Sequence, residues 1–136
     1  MTKYNAWDFF GVVDNRTELE SSDDVATVKW GKKWRMPNEK EIKELVEECV
    51  WTWTTQNNVN GHVVTGPSGK SIFLPAAGYR DGTDLYDLGS DSDYWSATLA
   101  DGNDNDVCGF GGDKWGGSWG GGCSREYGRT VRPVTE

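Results

Sequence analysis

The most regular apolar pattern in the chain lies between residues 38 and 49. Ile42, Leu45, Val46 and Cys49 fall at i, i+3, i+4 and i+7, one stripe along a helix. Asn38 in front of it and Glu41 three residues on form a capping box. Cys49 thereby reads as a core residue rather than a nucleophile, and the helix as a stability element with no ligand role. A shorter helix is predicted upstream. Ser22 opens it, Asp23 and Asp24 sit at the positive dipole end, Val25, Val28 and Lys29 continue it, and Gly31 stops it. From Val50 the period changes to two. Trp51-Thr52-Trp53-Thr54 alternates aromatic with polar, and residues 62–65 and 71–75 read as two more strands joined by the turn Gly66-Pro67-Ser68-Gly69. Asn60-Gly61 is a turn signal, which makes His62 an exposed hairpin residue. Residues 1–20, with Trp7, Phe9, Phe10, Val12 and Val13, predict one strand or a packed arm. After residues 76–80 regular structure is expected to thin out.

The window 102–128 has no such period. It holds ten of the 18 glycines, interleaved with Phe110, Trp115, Trp119 and Tyr127, and gives way to Thr130-Val131-Arg132-Pro133-Val134. Aromatics every four or five residues read as packed anchors holding a variable surface, and a long irregular segment in a small domain is either functional or disordered. The interleaved aromatics favour function.

Composition sharpens this picture. Leu, Ile, Val and Phe supply only 24 of 136 residues, and the net charge is -8, a combination that flags disorder. Eight Trp, five Tyr and four Phe contradict the flag, because large aromatics carry a core with few aliphatics. The expectation is one loop-rich, aromatic-cored domain over residues 1–136, with 1–20 as an arm. A pI near 4.6 excludes binding to a nucleic-acid backbone, which needs a Lys/Arg surplus. No apolar run approaches a membrane span, so no direct membrane insertion is expected. No charged-then-apolar leader opens the chain, so no export signal is expected within these residues.

Candidate chemistry is sparse. Cys49, Cys108 and Cys123 are an odd set without CxxC spacing, which disfavours zinc and a disulfide framework, while a single Cys108–Cys123 bridge stays open. One histidine allows no catalytic triad. Asn15-Arg16-Thr17 matches a glycosylation sequon and reads as a surface turn. Residues 66–71 resemble the end of a phosphate-binding loop, but Val64 stands where that pattern needs glycine and a strand follows where it needs a helix. Asp81, Asp84, Asp87, Asp91, Asp93 and the run 101–106 are rich in oxygen ligands. Counted from Asp101, the twelfth position is Gly112 rather than the Glu of a helical calcium loop. Solvated carboxylates are the favoured reading, with a structural calcium site left open and no other cofactor expected.

Several motifs in fixed order resemble a bacterial family, the Fibrobacter succinogenes major paralogous domain. They are Trp30-Gly31-x-x-Trp34-Arg35-Met36-Pro37, Trp51-x-Trp53, Val64-Thr65-Gly66-Pro67, the stretch 72–80 (Ile-Phe-Leu-Pro-Ala-Ala-Gly-Tyr-Arg), Tyr94-Trp95-Ser96-Ala97-Thr98 and Val131-Arg132-Pro133-Val134. The resemblance covers about residues 25–134. It implies an α+β, C-type lectin-like fold of the formylglycine-generating-enzyme branch, with two helices, a small mixed or antiparallel sheet and a large irregular loop lobe. Trp95, inside the repeated motif, is expected in the core.

A narrower resemblance is to variable proteins of diversity-generating retroelements, where adenine mutation turns Asn codons into those for Asp, Gly, Ser, Tyr, Cys, His or Arg. Most non-aromatic positions of the window carry residues within that reach. The resemblance implies a non-enzymatic receptor- or adhesin-type module whose ligand surface lies in 101–127. Hydrogen-bonding candidates are Asn103, Asp104, Asp106, Asp113, Ser118 and Ser124, with Trp115 and Trp119 as anchors. Gly109, Gly111, Gly116, Gly121, Gly122, Cys108 and Cys123 complete the candidate surface. The expected partner is a protein or glycan on another cell, phage or host surface, and the expected setting a cell surface, secreted protein or phage virion. The alternatives are an oxidase related to formylglycine-generating enzymes, which would need a close cysteine pair to hold copper, and a surface-binding domain that is not diversified.

Overall fold

A computed structural model describes residues 3–5, 8–100 and 106–135. It has an α+β architecture of short helices and small antiparallel sheets. Helix α1 spans Val25–Trp30 and α2 spans Glu39–Glu47. The predicted start of α1 moves two residues on. Asp24, not Ser22, is the N-cap, because its Oδ1 accepts from the Ala26 and Thr27 amides at 2.8 and 3.1 Å. Its Oδ2 accepts from the Met36 amide at 2.8 Å, which ties the cap to the segment entering α2. Gly31 ends α1 as expected, and the Asn38/Glu41 capping box opens α2.

Strand β1 (Trp34–Arg35), which follows α1, pairs with β10 (Val134–Thr135) near the C-terminal end of the chain. Strands β2 (Val50–Gln56), β3 (Val59–Thr65) and β4 (Ser71–Pro75) form a meander. The turn between β2 and β3 falls at Asn57-Asn58, both left-handed, rather than at Asn60-Gly61. Gly61 is a strand residue, and a Cβ on it would stand 2.3 Å from the Leu74 carbonyl oxygen. His62 is accordingly not exposed. It is fully buried, edge-on to Trp51 and Trp53 with ring centroids 5.0 and 4.9 Å away. Residues 66–69 form the expected hairpin turn, and a strand follows it.

Regular structure does not thin out after residue 80. Strands β5 (Tyr79–Asp81) and β6 (Asp84–Tyr86) make a small hairpin. The window expected to be an irregular lobe is likewise ordered over its described part. Strands β7 (Ser92–Leu99), β8 (Asp106–Asp113) and β9 (Gly116–Ser124) form a second meander. Glycine hides the alternation in β8, where Cys108 and Phe110 point to one face and Val107 and Gly109 to the other. Residues 8–20 form an arm rather than a strand, held by a 3-10 turn at Asp8–Phe10 and a bridge from Glu18 to Thr98.

The main core lies where α2 and both meanders meet. Ile42, Val64, Leu74, Tyr94, Cys108 and Phe110 are buried there, with Leu45, Cys49, Trp51, Ile72 and Trp119 packed around them. On the other face of β7–β9, Trp95 is half-buried beside two smaller clusters built on Leu99 and Val107 and on Ala26, Met36 and Ala97. The fully buried member of the Tyr94-Trp95 pair is Tyr94, whose hydroxyl donates to the Pro75 carbonyl at 3.0 Å. No helix among the described residues is long and apolar enough to cross a membrane.

Candidate binding groove on the second meander

Cross-strand register decides what each face of β7–β9 presents. Tyr94, Phe110 and Trp119 stand in one row, and the Tyr94 and Phe110 rings stack at 5.2 Å facing the core. On the opposite face the rows are Asp93–Gly111–Ser118 and Trp95–Gly109–Gly120. The middle strand therefore contributes glycine in both rows, and a trough runs between the flanking side chains. The groove has a volume of about 570 Å³. Its rim is set by Asp91, Asp93, Asp113, Trp115, Ser118 and Arg129.

The glycines of the floor are imposed by packing. A Cβ on Gly111 would lie 1.7 Å from the Ser92 carbonyl oxygen, and one on Gly109 would lie 3.0 Å from both Cys123 Sγ and the Tyr94 carbonyl oxygen. Gly112 and Gly117, in the core-facing row with Ser92, are constrained as well, by the Gly116 carbonyl at 2.2 Å and the Trp51 ring at 2.5 Å. Gly120 differs, since a Cβ there meets nothing within 4 Å and its φ is negative-side or extended.

One end of the groove is held by charge. Arg129 Nη1 donates to Asp93 Oδ1 at 2.6 Å, and the guanidinium lies 5.3 and 5.7 Å from the Trp95 and Tyr79 ring centres. Burial pushes the Asp93 carboxyl above its usual range, and the neighbouring guanidinium pulls it back. The other end is the β8–β9 turn, where Asp113 Oδ1 accepts from the Trp115 amide at 2.7 Å and the Trp115 ring is 83% exposed. His62 braces this turn from below. A carbonyl only accepts, so Nε2 carries a hydrogen and donates to the Asp113 carbonyl at 2.7 Å, while Nδ1 faces the Ser92 hydroxyl at 3.2 Å.

The structure separates the residues singled out by sequence. Gly109, Gly111, Asp113, Trp115, Gly116, Ser118 and Cys123 come together around the groove. Trp119 borders it but is docked on α2. Asp106 and Ser124 pair at the far end of the hairpin, and Gly121 and Gly122 lie in the bulge between. Cys108 is buried in the main core. Asn103 and Asp104 lie outside the described residues. No disulfide joins Cys49, Cys108 and Cys123. Cys108 and Cys123 belong to different clusters on opposite faces of the sheet, so the bridge left open by sequence does not form. Burial holds the Cys49 and Cys123 thiols above their ordinary range. Among the described residues no group of three or more His, Cys, Asp or Glu side chains is placed to hold a metal ion.

Sequence reasoning did not find Asp93 and Arg129 as a pair. The available signal was that Asp93 and Trp95 share a strand face opposite Tyr94; the arrival of Arg129, 36 residues on, was not readable. Comparison with protein-family models, with curated proteins and with solved structures finds no match.

Proposed function

We propose that the protein is a non-enzymatic ligand-binding module of C-type lectin-like fold, akin to the Fibrobacter succinogenes major paralogous domain, and that its β8–β9 face is diversified by a retroelement. The observation that carries this reading is the groove itself. Its open positions, Asp113, Ser118 and Gly120, bear residue types that adenine changes in an Asn codon reach, and they stand on a sheet packed down by Trp119, a residue type that such changes do not reach. Exposed Trp115 supplies an amphipathic anchor of the kind that dominates binding hot spots. Small polar neighbours supply adaptable hydrogen bonds, as in antibody loops.

The packing-imposed glycines refine the expected variable set. Gly109, Gly111, Gly112 and Gly117 belong to the scaffold, although codon arithmetic alone would admit them. Cys108 belongs to it as well. The placement of Cys108 and Cys123 on opposite faces supports the binding reading over an oxidase that needs a close cysteine pair.

A displayed library randomised at 113, 118 and 120 with Asn-codon-reachable residues tests the proposal. Folded variants that differ in preference across an array of glycans and surface proteins are expected. Uniform preference, or general unfolding, would overturn it. A reverse transcriptase and a near-identical Asn-rich template repeat beside the gene are the expected genomic signature.

A further inference from the structure

The groove carries a charge imbalance that narrows its occupant. Among the described residues three carboxylates line it, from Asp91, Asp93 and Asp113, against one cation, Arg129, which is already committed to Asp93. The floor has no side chains at Gly109 and Gly111, and a Cβ on Gly111 would strike the Ser92 carbonyl oxygen. At the open end stands Trp115, whose ring already attracts a cation: Lys114 Nζ lies 4.9 Å from its centre. Ser92 pairs with Gly112, so Asp91 and Asp113, the next residues along each strand, stand beside each other at the turn end of the sheet.

We infer that the groove receives a basic segment of a partner protein, laid extended over the glycine floor with a lysine or arginine side chain held between Asp91, Asp113 and the Trp115 ring. The inference rests on the binding reading above and adds the chemical class of the ligand. An extended chain suits a floor of bare backbone, where another backbone approaches closely. A cationic head suits the excess carboxylates, and its aliphatic stem suits the indole face. Lys114 would give up its place over the ring to the incoming cation.

The test uses two end-blocked pentapeptides, Gly-Lys-Gly-Arg-Gly and Gly-Gln-Gly-Gln-Gly, together with a neutral oligosaccharide. Amide and indole NMR shifts locate binding and titrations give its strength. The expected result is that the basic peptide alone shifts the Trp115 indole and the amides of 109–120. Asp91→Asn and Asp113→Asn should each weaken it roughly fivefold, as a solvent-accessible ion pair supports, and added salt should do the same. Asparagine at 113 keeps an oxygen for the Trp115 amide, and an unchanged thermal midpoint verifies folding. If the neutral peptide or the oligosaccharide binds the groove as well as the basic peptide, the inference falls and the binding reading stands. If probes bind only outside the groove, both fall. If the basic peptide does not bind at millimolar concentration, or if it binds equally after both substitutions, the inference is overturned.

Discussion

The Trp119 indole Nε1 donates to Glu47 Oε1 at 3.2 Å across 72 residues of sequence, while Lys43 Nζ lies 4.3 Å from the centre of the same ring. Helix α2 thus grips β9 directly. Trp119, expected as a ligand anchor, lines the groove and also joins it to α2, so α2 is less remote from the groove than its capping box and apolar stripe alone suggest.

Glu47→Ala should therefore loosen β9. The bond is solvent-accessible, so its loss should cost about 0.5–1.5 kcal/mol. Thermal unfolding and Trp119 fluorescence measure it, and an unchanged indole environment would count against the joint.

Asn38→Ala should cost about 1 kcal/mol of stability. Its side chain accepts from the Glu41 amide at 3.0 Å, and Glu41 returns a bond from the Asn38 amide at 2.9 Å. Arg35 clamps the same Glu41 carboxylate through two 2.7 Å contacts, so the box keeps one partner and the helix should still form. Denaturant titration decides the size of the effect.

The glycines of β8 and β9 should divide sharply. Gly111→Ala and Gly117→Ala force a methyl group onto the Ser92 carbonyl and the Trp51 ring, and should each cost about 1–3 kcal/mol or more. Gly120→Ala adds a methyl to open space and should leave the thermal midpoint within a degree or so of the parent, since surface changes usually stay within ~0.5 kcal/mol. Equal tolerance at all three positions would remove the distinction between scaffold and display residues.

Acid should weaken the fold through His62. Burial lowers its pKa below the ordinary 6.5, against smaller opposing effects from Asp113 and Asp91. Between 6.5 and the lower folded value, the unfolded chain binds more protons than the folded one, so stability falls as pH drops through that window. Above 6.5 the ring is neutral in both states and its contribution is constant. The buried Asp93 carboxyl, raised in the fold, acts with the opposite sign above its ordinary 3.8. A stability profile of the parent against His62→Gln isolates the histidine: the slope below 6.5 should flatten in the variant.

Local pattern was sufficient where neighbours in sequence settle the outcome. The α2 cap, the stripe from Ile42 to Val46, the Gly31 stop and most of strands β2 to β4 follow from residues within one or two turns of each other, although α2 ends at Glu47 and leaves Cys49, expected on the helix, just beyond it. Tertiary structure decided the rest. Glycine carries no hydropathy signal, so the alternation of β8 and β9 became visible only once Phe110 stood against Trp119 on one face and Gly109 against Gly120 on the other. His62 looked like a turn residue because Asn60-Gly61 precedes it; the close approach of the Leu74 backbone to Gly61 makes that pair strand instead, and carries the ring inside between two tryptophans. The Asp93–Arg129 pair needed a chain reversal that no local spacing encodes, since contacts between distant segments depend on how whole sheets pack.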